Sequence, residues 1–94
     1  MILVDPPTWP GWGRTWSHLV SDASIEELHA FAQRLGIPRK LFDEDHYDVP
    51  VERYDEVVAA GATRVTGAEL IRRLIRSGLR VTAAERAGRA PDAG

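Results

Sequence analysis

A chain of 94 residues, 44% of them apolar, fits one globular domain that buries roughly 60 to 65% of the surface its unfolded form exposes. It has no cysteine, which excludes disulfides, thiolate zinc sites and a cysteine nucleophile, and makes a reducing cytoplasm the expected address. The net charge of −2 is unevenly laid out, with seven acids and two bases over residues 40–63 and seven bases and three acids over residues 64–94.

Ile2-Leu3-Val4 is a short apolar run ended by Asp5 and two prolines, the pattern of a buried strand. The prolines and glycines of the following PPTWPGWGRT exclude helix and central strand. Thr15 to Ser21 reads as a second strand. Ser24-Ile25-Glu26-Glu27 is a capping box, and Ile25, Leu28, Phe31, Ala32 and Leu35 form the inward stripe of the helix it opens. Gly36 and Pro38 end that helix. The acidic DEDHYDVP reads as a solvated loop entering a second helix at Pro50, which runs through Arg53 to Ala60 and stops at Gly61. Thr63-Arg64-Val65 looks like a strand. Thr66-Gly67-Ala68-Glu69 caps a third helix, with Leu70, Ile71, Leu74 and Ile75 inward and Arg72, Arg73 and Arg76 outward. Gly78 ends it, and Leu79 to Thr82 is expected as an edge strand.

The alternation of helices and strands implies an α/β fold: a small single domain over residues 1–82, with about three helices on a three- or four-stranded, mainly parallel sheet. Residues 83–94, AAERAGRAPDAG, are expected to be a loose tail. No apolar run approaches the roughly 18 residues of a membrane span, and MILVDPP lacks the pattern of a signal peptide.

Ligands of an open α/β sheet bind beyond the carboxyl ends of its strands. That rule gathers Asp5, Asp22, His46 and Asp48 toward one edge, with His18 on the face shared by Trp16 and Val20. Without cysteine, a transition-metal site must use histidine and aspartate, a set that suits zinc or manganese. His46, flanked by Asp45 and Asp48, has its charged form favoured and is a candidate ligand oriented by a carboxylate. His46 and Asp48 share a side only if that stretch is extended. Simpler roles compete: Asp22 and Asp48 as helix caps, His18 and His29 as packed side chains, and Trp9, Trp12 and Trp16 as anchors of a loop rather than a stacking lid.

Residues Glu27 to Phe42 have the spacing of a helix-turn-helix, but its recognition helix would carry Asp43, Glu44 and Asp45 toward DNA. Carboxylates there exclude sequence-specific binding and leave non-specific contact through the arginines of the last helix.

The apolar start ending in Asp5, Trp16-Ser17-His18-Leu19 with Asp22, Glu27-Leu28-His29-Ala30-Phe31-Ala32, Leu35-Gly36-Ile37, His46-Tyr47-Asp48 and Ala60-Gly61-Ala62 together resemble the bacterial and phage family known as domain of unknown function 4031. The likeness covers most of residues 1–75 and implies no reaction.

The expected function is a ligand or metal pocket, with His18, His46 and Asp48 as metal ligands to zinc or manganese. Asp5 or Asp22 is the candidate catalytic base, and Arg14, Trp16 and Tyr47 are candidate contacts to a small anionic, phosphorylated or nucleotide-like ligand undergoing hydrolysis. The alternative is a non-catalytic interaction module, self-associating or docking a partner through its acidic and basic halves.

Overall fold

The computed structural model describes residues 1–82, 84 and 85. Among them lie six strands, β1 (Ile2–Val4), β2 (Trp9–Gly11), β3 (Arg14–Ser21), β4 (Phe42–Asp43), β5 (His46–Pro50) and β6 (Thr63–Arg64). Three α-helices accompany them, α1 (Ile25–Arg34), α2 (Tyr54–Ala59) and α3 (Gly67–Ser77). The strands form one mixed sheet in the order β4-β5-β3-β1-β6, with β2 also paired to β3. Only β1 and β6 run parallel; every other pairing is antiparallel.

The α/β class holds, and the mainly parallel sheet does not. Strand and helix alternate from β3 through α1 to β4 and again from β5 through α2 to β6, yet among the described strands only β1 and β6 pair in parallel. Two hairpins build the rest. Trp12 (φ 54°) and Gly13 (φ 77°) close the β2–β3 hairpin, a pair of positive φ angles that defines a tight two-residue turn. The proline-rich loop therefore contains a short strand on β3. Glu44 (φ 63°) turns the chain between β4 and β5, so the stretch read as a loop before a helix is a second hairpin. Pro50 ends β5, a 3₁₀ turn over Val51–Arg53 follows, and Asp48 caps no helix.

Strand alternation then sorts the core into two layers. Ile2, Val4, Leu19, Tyr47 and Val49 point to one face and pack against Leu28, Phe31 and Ala32 of α1 and Val57 of α2. Leu3 and Val20 point to the other and pack against Leu70 and Leu74 of α3. Ile71 and Ile75, expected inward, are 37% and 58% exposed, because the strip of α3 that meets the narrow sheet is only one residue wide per turn. Ser24 and Thr66 accept hydrogen bonds from the amides of Glu27 and Glu69 and cap α1 and α3, and Gly78 (φ 84°) closes α3 in the left-handed conformation.

Residues 79–82 form no strand. Instead the Val81 amide donates to the Asp45 carboxylate at 2.8 Å, which holds this segment against the β4–β5 turn. The tail expected from residue 83 falls almost wholly outside the described residues. No helix among the described residues is long and apolar enough to cross a membrane.

Candidate functional site

The site lies on the face of the sheet covered by α3, not beyond the strand ends. In the antiparallel register His18 of β3 stands opposite Asp48 of β5, and His46 is the diagonal neighbour two residues along. Because the segment is extended, His46 and Asp48 share the α3 side while Tyr47 and Val49 enter the other core layer. The two imidazole rings meet edge to face, centroids 5.1 Å apart. One ligand atom from each of His18, His46 and Asp48 lies within 4.8 Å of the others.

Each imidazole is held by a carboxylate behind it. Asp5 accepts from the His18 backbone amide at 2.6 Å and approaches His18 Nδ1 at 2.8 Å. Asp5 itself is placed by β1, whose last pairing sets its amide on the His18 carbonyl at 3.2 Å. Asp45 approaches His46 Nδ1 at 2.8 Å and is fully buried. With both Nδ1 atoms engaged, the Nε2 atoms are the ones available to a shared occupant. Trp9 caps one of them: its indole N–H donates to His18 Nε2 at 2.7 Å, which assigns the His18 proton to Nδ1.

His46 Nε2 is 3.2 Å from Asp48 Oδ1. The approach lacks hydrogen-bond alignment, and that buried oxygen has no hydrogen-bond partner among the described residues. Burial opposes the charging of His46, but the Asp48 and Asp45 carboxylates outweigh it and hold the imidazole above its ordinary value.

A cleft of about 290 Å³ opens beside the rings. His18, His46 and Asp43 line its polar side, and Leu70, Ile71 and Leu74 of α3 line its apolar side. Arg80 also borders it, its guanidinium 3.5 Å from the Asp45 carboxylate.

Of the residues expected here from sequence, His18, His46, Asp48 and Asp5 come together. Asp5, expected as a base, gives both oxygens to His18. Asp22 is elsewhere, bound by the Met1 amine at 3.0 Å and by Arg73 at 2.9 Å, beside a separate shallow cavity. Tyr47 is on the opposite face, 1% exposed, with its hydroxyl 2.8 Å from His29 Nδ1. Arg14 lies over Trp16 at 5.9 Å and 3.7 Å from Glu52, away from the cleft. Trp16 donates to the Gly11 carbonyl at 2.8 Å and lines a neighbouring cleft with Trp9, Trp12 and Asp48.

Sequence reasoning missed Arg80, and it named Trp9 only as a loop anchor or lid and Asp45 only as a charge flanking His46. Asp45 lies in an acidic run whose composition signals solvent, and Arg80 reaches the site only because residues 79–81 fold back. For Trp9 the signal was the strand periodicity of Trp9 and Gly11 across from Trp16, hidden by Pro10.

The chain belongs to the family described as protein of unknown function (DUF4031), whose model matches residues 2–77. No curated protein and no solved structure matches it.

Proposed function

We propose that this member of the family binds a divalent transition metal, zinc or manganese, through His18, His46 and Asp48, and hydrolyses a small phosphorylated substrate in the adjoining cleft. The carrying observation is the convergence of three ligand atoms within 4.8 Å, with a carboxylate behind each imidazole. Two imidazoles and one carboxylate are a donor set suited to zinc, manganese or iron, and three protein ligands leave a position open. Asp48 Oδ1, buried without a hydrogen-bond partner among the described residues and 3.2 Å from His46 Nε2, fits an occupant that supplies positive charge. A metal held by His18, His46 and Asp48 would polarise a phosphoryl oxygen and lower the pKa of a bound water.

The chain's own groups supply the rest of this reading. Arg80 steadies the substrate's anionic end, taking the part that the sequence suggested for Arg14. Asp43 lines the same cleft and is the candidate base. The apolar wall from α3 limits water around the reacting group.

The test is metal analysis of protein purified without a histidine tag, followed by zinc and manganese titrations of the native protein, His46→Ala and Asp48→Asn. Binding in the native protein and its loss in both variants supports the reading. A metal-free protein whose melting is indifferent to EDTA, zinc and manganese overturns it. Given binding, release of phosphate from a generic phosphomonoester separates the hydrolase from a metal-binding domain without catalysis.

A non-catalytic interaction module is the second reading, favoured by the exposure of Trp12 (94%) and Ile75 (58%). Its nucleic-acid form is weakened because Arg72 pairs with Glu69 and Arg73 with Asp22.

A further inference from the structure

The opposite face of the sheet has a concavity of its own, about 310 Å³, between α1 and the segment that leads into β4. His29 and Gln33, one helical turn apart on α1, line it together with Arg39 and Tyr47. None of these residues belongs to the His18–His46 cluster. Tyr47 is here for the same reason that it is absent there: it is the odd residue between His46 and Asp48 on an extended strand.

The polar groups around this concavity converge as donors. Tyr47 Oη and His29 Nδ1 are 2.8 Å apart. Burial together with the Arg39 charge pushes the His29 imidazole down. A phenol keeps its proton at neutral pH, and the imidazole stays neutral. With the phenol assigned as donor to Nδ1, the imidazole proton sits on Nε2, which becomes a donor as well. Neither the Gln33 amide nor the Arg39 guanidinium makes a hydrogen bond or ion pair among the described residues. Glu26, one turn before His29, is the carboxylate whose field reaches the imidazole, and its effect there is smaller than that of Arg39. The local field is positive.

Phe42 sits among three of these residues. Arg39 lies 5.7 Å over the Phe42 ring. That ring packs against His29 at 4.6 Å and Tyr47 at 5.3 Å. A guanidinium over a ring, beside an imidazole and an amide with no acceptor assigned to them, presents a set of donors without a native acceptor.

We infer that the concavity formed by His29, Gln33, Arg39 and Tyr47 binds a small oxyanion, the phosphate or carboxylate end of a small molecule. The Arg39 fork takes two oxygens, and the Gln33 amide and His29 Nε2–H complete the set. The site stands apart from the proposed metal cluster and does not depend on it.

The experiment follows the His29 ring signals by NMR at neutral pH, with inorganic phosphate and acetate titrated separately at ionic strength fixed by sodium chloride. Saturable movement with either anion is expected, with affinity lowered about tenfold in Arg39→Ala, as loss of one charge-assisted pair implies. Gln33→Ala weakens it less, and His46→Ala leaves it unchanged. The anion that saturates first identifies the class of ligand. Signals that do not move at tens of millimolar, that move equally with chloride, or that move equally in Arg39→Ala overturn the inference.

Discussion

His18 and Asp48 are cross-strand partners on antiparallel strands, thirty positions apart in sequence and directly opposite in register. The pairing fixes an imidazole and a carboxylate on one pleat of a sheet, a more rigid mount than a loop. Everything proposed for the cleft depends on this register.

Asp5→Asn removes the negative charge behind His18 while keeping an oxygen for the backbone amide. Loss of a carboxylate that orients a ligating histidine weakens metal affinity by about 10- to 100-fold. Competition against a chromophoric chelator measures this. Equal affinity in the variant would show that Asp5 has no part in positioning a ligand.

Trp9→Phe keeps a ring against His18, where the centroids are 4.9 Å apart, but deletes the N–H that occupies Nε2. Zinc should then bind about fivefold more tightly, since roughly 1 kcal/mol of competing hydrogen bond is gone. The change in tryptophan emission on adding zinc to the native protein should shrink in the same variant.

Asp45→Ala leaves His46 Nδ1 and the Val81 amide without their acceptor and removes the carboxylate facing Arg80. Truncating one member of a buried charged network costs about 3 kcal/mol or more. Asp43→Ala, two residues away and exposed, should stay within about 0.5 kcal/mol of the native protein. Urea midpoints for the two variants give the comparison directly.

Trp12→Asn should raise stability by about 1 kcal/mol, because asparagine tolerates the left-handed backbone and suits the first position of this turn far better than tryptophan. Thermal unfolding measures the gain. If the exposed indole has a binding role, the same variant loses it while gaining stability.

Stability should also depend on pH through His29. Its imidazole lies below the unfolded reference of 6.5, first because of burial and then because of Arg39. The neutral form is therefore favoured in the native state, so this contribution is fully present above the unfolded value and is lost as the pH falls through the folded one. His46 is shifted the other way and adds stability that fades as the pH rises. The difference between the native curve and that of His29→Gln isolates the first effect; parallel curves from pH 7 to 5 would rule it out.

Helix ends were the most legible part of the sequence, because Ser24, Thr66 and Gly78 announce them through local hydrogen bonding and backbone freedom. The β4–β5 hairpin was not legible. Its turn residue Glu44 adopts a positive φ without glycine, and its strand carries His46 and Asp48 where a half-buried strand would ordinarily show solvent-facing polars. The antiparallel sheet was missed with it, since Trp12-Gly13 lacks the Asn-Gly signature of such turns. The core of the site was nonetheless within reach: His18, His46 and Asp48 were singled out by residue type, and an extended reading of His46-Tyr47-Asp48 gives their common side. Tyr47 was assigned to that side because the period of two was not applied to it. The buried role of Asp45 depends on a contact 36 residues away with Val81, which no local pattern encodes.

The contact between Asp45 and Val81 has a practical bearing on where this domain stops. The family match closes at residue 77, yet the amide and guanidinium that steady the Asp45 carboxylate come from residues 81 and 80. A fragment cut at the family boundary would keep every strand and helix named above while unseating the brace behind His46. Such a cut also removes Gly78, which closes α3, and Leu79, which packs on the core layer beneath it.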